Sequence, residues 1–173
     1  MSWQQYVDQS LVGSGNVDKA AIFNSEGNSV WATSPGFQVS PKEMEEIVAA
    51  YNDKGDDTGV KQVQSTGLHV AGERFVVLKA DERSLYGKKV RFFYRVFSRF
   101  SSALEILPFN HPVTRNFRSF YLPGVHTLQG KEGIVIVKTT QAILVTHYPE
   151  HVQPGSAANT VEQLGDYLIS VGY

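Results

Sequence analysis

The sequence contains no cysteine. That excludes a disulfide framework, a thiol nucleophile and any thiolate metal site, and it agrees with a reducing compartment. Charge of one sign is also missing in bulk. The formal net charge is -1 over 173 residues, so no global field marks a nucleic-acid binder. No uninterrupted apolar run is long enough to span a bilayer. The first residues, Met1-Ser2-Trp3-Gln4-Gln5-Tyr6-Val7-Asp8, have neither the basic start nor the apolar core of a signal peptide. The expected setting is the cytosol, and the length suits one ordinary domain.

Catalytic signatures are absent as well. Gly13-Ser14-Gly15 has no strand before it, no helix after it and no following Lys, so it is not a phosphate loop. No nucleophile-elbow motif accompanies the serines. His147 and His151 lack the carboxylate–histidine spacing of zinc ligands, and His147 closes an apolar strand, which suits a structural role. These observations argue against an enzyme and against a cofactor or metal.

What is present reads as alternating helices and hairpins. Ser2 with Gln5 three residues later is a capping box, and Trp3, Tyr6, Val7, Ser10 and Leu11 follow at helical spacing. The cluster Gly13-Ser14-Gly15-Asn16 ends that helix. Ala20 to Phe23 and Ser29 to Ala32 are β-prone runs around a turn-rich loop. Ser40-Pro41-Lys42-Glu43 starts a second helix, with Met44, Ile47, Val48 and Tyr51 facing a core. Asn52 to Thr66 is polar and rich in Gly and Asp, and so reads as a loop. Leu68 to Val70 with Phe75 to Ala80 forms one further hairpin, and Ile134 to Lys138 with Ala142 to Thr146 another. Pro154-Gly155-Ser156 leads into a last helix carrying Ala157, Ala158, Val161, Leu164, Leu168 and Ile169 on one side. Strands joined by short turns imply an antiparallel sheet with helices packed on it, an α+β domain.

Several stretches resemble profilins, the fungal ones in particular. They are Met1 to Asp8, Ser29-Val30-Trp31-Ala32, Ala80 to Lys88, His147-Tyr148-Pro149-Glu150, and Gln163 to the terminal Tyr173, in the family's order. The resemblance implies a central antiparallel sheet with the N- and C-terminal helices on one face and short helices on the other. It implies a groove for proline-rich segments, such as those of formins, at Trp3, Tyr6, Trp31, Tyr167, Leu168 and Tyr173. Flat aromatic faces suit a pre-ordered polyproline II helix, whose carbonyls Trp and Tyr edges can reach. It also implies a surface for monomeric actin at Arg74, Arg83, Lys88 and Lys131, with Gly155, Asn159 and Gln163 on the last helix. Phosphoinositide lipids are a further partner class that the family implies, together with a cytoplasmic, cytoskeletal location. The resemblance to a family of adaptors agrees with the lack of catalytic motifs.

One segment departs from the family. Val90 to Gln129 holds seven of the ten Phe and five Arg, with no Lys and no Asp. Setting the five Arg against Glu105 gives this segment +4, which leaves -5 for the remainder of a chain at -1. Removing it joins Tyr86-Gly87-Lys88-Lys89 to Gly130-Lys131-Glu132-Gly133, the uninterrupted family spacing. We read the segment as translated intron sequence, entering at one point of a single profilin-like domain. Two alternatives stand beside this reading. One is an amphipathic helix, with Phe92, Phe93, Val96, Phe97 and Phe100 on one side and Arg91, Arg95 and Arg99 on another. The other is a loop without a role. If the segment is retained, it starts inside the expected actin face. There it should obstruct actin unless it folds away, and the alternative function is a membrane-surface phosphoinositide-binding protein whose actin contact the segment impairs.

Overall fold

The computed structural model describes residues 2–57, 59–90 and 129–173, with the backbone alone at 90 and 129–131. The chain divides into two units, and the described fold is the first of them, Met1–Lys89 with Gly130–Tyr173. The amphipathic helix named as one alternative for the segment falls in the second unit, Val90–Gln129, and lies outside the described residues.

The N-terminal helix begins as its capping box dictates. Ser2 Oγ accepts the Gln5 amide at 3.3 Å, and Gln5 Oε1 accepts the Ser2 amide at 2.9 Å. This helix, α1 (Trp3–Gln5), widens into a π-helical stretch over Tyr6–Leu11 and tightens into a 3-10 turn over Val12–Ser14. Tyr6, Val7 and Leu11 are buried. Strands β1 (Lys19–Asn24) and β2 (Val30–Thr33) form the first hairpin. Helix α2 (Pro41–Asn52) has Ser40 as its cap and buries Met44, Ile47 and Tyr51.

Where the sequence suggested only loop, a short helix α3 (Gln62–Thr66) forms. Val63 and the stem of Lys61 are buried beneath it, and Lys61 Nζ donates to the carbonyls of Ala50 and Asp81 at 3.0 and 3.2 Å. Strands β3 (Leu68–Val70), β4 (Glu73–Ala80) and β5 (Ser84–Val90) follow, then β6 (Gln129–Lys138) and β7 (Ala142–Tyr148). Helix α4 (Pro154–Ser170) closes the chain. Strand β5 is a second addition to the elements read from sequence.

The seven strands lie in the order β2-β1-β7-β6-β5-β4-β3 in an antiparallel sheet. Residues alternate between two cores, as the two-residue period of a strand requires. Ala20, Ile22, Val135, Val137, Ala142 and Leu144 join Tyr6, Val7, Leu11, Val161, Leu164 and Leu168 under the terminal helices. Ala21, Phe23, Ile134, Ile136, Ile143 and Val145 join Met44, Ile47, Val63 and Phe75 under α2 and α3. Every residue of β7 is buried because both of its faces are covered. This is the expected α+β arrangement.

Ile169, grouped with the apolar side of α4, is instead exposed, while Gly165 is buried. A Cβ at Gly165 would lie 2.9 Å from Val137 Cγ1 and 3.2 Å from Arg83 Nη2, so the missing side chain lets α4 approach the sheet. Gly133 meets a tighter limit, because a Cβ there would overlap the Tyr148 ring and the Gly87 carbonyl. Among the described residues, no helix is long and apolar enough to cross a membrane.

Candidate functional site

The two ends of the chain meet on one face of the sheet and bring five aromatic rings together. Trp3 is at the centre. Its ring lies 4.5 Å from Trp31, 5.0 Å from Tyr173 in an edge-on arrangement, and 5.8 Å from Tyr6. Tyr6 in turn lies 6.0 Å from Tyr167. The tilted and edge-on geometries are those that aromatic quadrupoles favour. Tyr167 and Tyr173 are 47% and 42% exposed, Trp3 and Trp31 are half-buried, and Tyr6 is buried. A band of aromatic faces therefore remains open to solvent, with Tyr6 as its support.

The band is held from several sides. A hydrogen bond with the Tyr167 side chain, reinforced by burial, pushes the Tyr6 hydroxyl above its ordinary pKa. The Tyr173 amide donates to the Leu168 carbonyl at 2.8 Å, and Gln141 Nε2 donates to the Gly172 carbonyl at 2.8 Å. These bonds fix the last residues against the β6–β7 turn. Leu168, grouped with the groove in sequence, is fully buried. It stands at the core-facing position after Ala157, Val161 and Leu164, so it supports the aromatic band from below and presents no surface to a ligand.

The residues expected on the second surface are dispersed over β4, β5, β6 and α4. Arg74, on β4, is exposed and donates from Nη2 to the Thr66 carbonyl at 2.8 Å. Lys88, on β5, is half-buried and makes no salt bridge among the described residues. Lys131 lies on β6, and its side chain is outside the described residues. Gly155, Asn159 and Gln163 form an exposed stripe along α4.

Arg83 differs from these. Its Nη2 lies 2.6 Å from Asp166 Oδ1 and 3.2 Å from Glu162 Oε2, so two carboxylates of α4 hold it. Glu162 Oε1 also accepts hydrogen bonds from Ser84 Oγ and, at 2.7 Å, from Tyr86 hydroxyl. Burial and the bond to Glu162 push Tyr86 up to about 12. This network, which sequence reasoning missed, fastens β5 to α4. Its only local sign was a Glu one helical turn before Asp166.

The profilin family model matches residues 1–116 and 112–173. The profilin of Schizosaccharomyces pombe is 38% identical over 173 residues, covering all of both chains. The structure of Acanthamoeba castellanii profilin IB, 38% identical, superposes with a TM-score of 0.69 over 99% of this chain and 100% of that one. The chain belongs to the profilin family. The same fold occurs in mouse profilin IIa in complex with a double repeat from the FH1 domain of mDia1, at 18% identity and a TM-score of 0.64. It occurs also in the LokiProfilin2/rabbit actin complex, at 17% identity and 0.64.

Proposed function

We propose that this chain is a non-catalytic adaptor that binds proline-rich segments on the aromatic band and monomeric actin on the surface formed by β4, β5 and α4. The observation that carries the first role is the open band of Trp3, Trp31, Tyr167 and Tyr173 where the chain ends meet. A proline-rich helix is ordered before it binds, so stacking on rigid rings costs little conformational entropy. Exposed indole and phenol edges supply donors to its free carbonyls. Tyr167 and Tyr173 remain half-exposed among the described residues, which agrees with a surface kept for a ligand.

Family membership supports the second role, with Arg74, Lys88, Lys131, Gly155, Asn159 and Gln163 as its contact residues. Cations at such a rim steer association with an acidic partner more than they add affinity. Lys88 is the best placed, because no carboxylate among the described residues engages it. Arg83 is held by Glu162 and Asp166, so its part is to position α4 beneath that surface. The protein works in the cytoplasm at the actin cytoskeleton. Its family domain is Met1–Lys89 with Gly130–Tyr173, and Val90–Gln129 is an insertion.

Titration of an FH1-type proline-rich peptide, followed by tryptophan emission, tests the first role. Trp3→Ala is expected to weaken binding by about thirtyfold or more, the scale of an aromatic hot spot. An unchanged affinity in a folded Trp3→Ala protein would refute the groove assignment.

A further inference from the structure

Four neighbouring strands assemble a cluster that the binding roles above leave unused. Lys89 on β5 places Nζ 2.8 Å from Glu73 Oε1 on β4 and 2.8 Å from Glu132 Oε2 on β6. Beside it on β7, the His147 side chain is 10% exposed, and its Nε2 lies 4.0 Å from Glu132 Oε2. The other ring nitrogen, Nδ1, is 2.6 Å from Asp18 Oδ1. A carboxylate at that distance takes the Nδ1 proton as its hydrogen bond and leaves Nε2 with a bare lone pair. That nitrogen is sealed from solvent and meets no donor among the described residues. A buried acceptor pointed at a carboxylate is relieved by a cation between them, a proton or a metal ion.

The donor set identifies the kind of cation. Glu73, Glu132 and His147 each offer one ligand atom, and these atoms all lie within 4.8 Å of one another. One imidazole nitrogen with two carboxylate oxygens suits a divalent first-row transition ion. A carboxylate on the far nitrogen of a ligating histidine, here Asp18, is the usual outer support of such a ligand, since it fixes both tautomer and ring orientation. Bonds of about 2.0–2.2 Å require the three atoms to close in. The Glu73 side chain, 44% exposed, has the freedom to do so, and the same opening admits the ion and a coordinating water.

We propose that Glu73, Glu132 and His147 form a divalent transition-metal site of the zinc class, in which the ion replaces the Lys89 ammonium between the two carboxylates. Lys89 now performs half of the task. It lies between the two carboxylates and gives nothing to His147 Nε2. A divalent ion balances both carboxylates and coordinates the nitrogen, while Lys89, 22% exposed, turns its charge outward to solvent. The ammonium and the ion compete, so metal affinity is set by the difference between them. The site stands independently of whether the neighbouring surface binds actin.

The test is calorimetric titration of zinc chloride into the full chain, with the histidine side-chain nitrogens followed by NMR. One equivalent is expected to bind and to shift the His147 Nε2 resonance. Asp18→Asn should weaken binding about tenfold or more, as loss of an outer support does. Lys89→Met removes the competitor and should tighten binding at least tenfold, the opposite of what a purely structural clamp predicts. His147→Gln should abolish the site, whereas His69→Gln should leave it intact. If His147→Gln fails to fold, the Lys89→Met isotherm and the His147 resonance decide the matter. No zinc uptake by either the wild type or Lys89→Met overturns the proposal. So does a shift confined to other histidines, or an affinity that Lys89→Met does not raise.

Discussion

Glu43 shows how one side chain serves two levels of the fold. Its Oε2 accepts the Ser40 amide at 2.7 Å and completes the box at the start of α2, while Oε1 accepts the Gly72 amide at 2.7 Å in the β3–β4 turn. Burial alone would raise its pKa, but the bonds from Gly72 and Ser40 outweigh that and hold it below the ordinary carboxylate value. Because the folded pKa is the lower one, the stabilisation is present above the unfolded value of about 4.3 and is lost as pH falls through the folded value. Glu43→Gln should therefore cost about 1–2 kcal/mol at neutral pH, with the gap to wild type closing in acid. Urea midpoints of both proteins across pH 2.5 to 7, about the span of carboxylate titration, check this; a constant difference would contradict it. Tyr6 is the comparable residue at the aromatic band. Tyr6→Phe removes its bond with Tyr167 and should lower stability by about 1 kcal/mol while leaving the tilted ring contacts in place. The measurement is the same urea midpoint beside peptide affinity, and a larger loss of affinity than of stability would assign the hydroxyl to the ligand.

At the scale of elements, Glu162 decides how β5 and α4 meet. It receives the hydroxyls of Ser84 and Tyr86 and faces Arg83, whose Nε is buried without a hydrogen-bond partner among the described residues. Glu162→Ala strands a buried hydroxyl and weakens the hold on Arg83, so a loss of about 2–3 kcal/mol is expected in equilibrium unfolding. A change below about 0.5 kcal/mol, the usual surface effect, would mean the network contributes nothing. Glu162 one turn before Asp166 is the one local sign of this network, since its partners in and just before β5 lie 76 to 83 residues away. The same cause hid α3 and β5. Gln62–Thr66 is polar apart from Val63 and reads as loop, yet Lys61 reaches the Ala50 and Asp81 carbonyls and fastens the turn in place. In β5, Gly87, Lys88 and Lys89 are poor strand formers, and pairing with Val77, Val76 and Phe75 of β4 overrides that preference. Elements with their own signals were legible. The two capping boxes, the Pro154 start of α4 and the alternating runs of β1, β6 and β7 all formed where pattern placed them. In the site, large aromatics at both chain ends were visible in sequence. Leu168 and Ile169 were not separable, because one residue of helical rotation buries the first and exposes the second.

For the whole molecule, topology explains how a long segment can be carried between β5 and β6. Strands β5 and β6 are neighbours in the sheet, so the forty residues Val90–Gln129 join two strands that a short turn could also join. Strand β5 pairs with β4 and β6 with β7 on their other sides, and the buried residues of both cores among the described residues come from Met1–Lys89 and Gly130–Tyr173. Loop-closure entropy grows only with the logarithm of length. Replacing a loop of this size by a turn of a few residues is worth about 2 kcal/mol, at roughly 0.6 kcal/mol for each halving. Direct joining of Lys89 to Gly130 is therefore expected to give a folded protein that unfolds at a higher temperature than the full chain. In sequence the segment begins two residues after Lys88, a contact proposed for actin, whereas the aromatic band is built from residues near the chain ends. The shortened protein should accordingly bind monomeric actin more tightly and bind a proline-rich peptide with unchanged affinity. Sedimentation of labelled actin with each form, beside the peptide titration, separates the two effects. Equal actin affinity in both forms would show that the segment does not obstruct that surface. Loss of folding on joining would show instead that Val90–Gln129 has become part of what holds the sheet together.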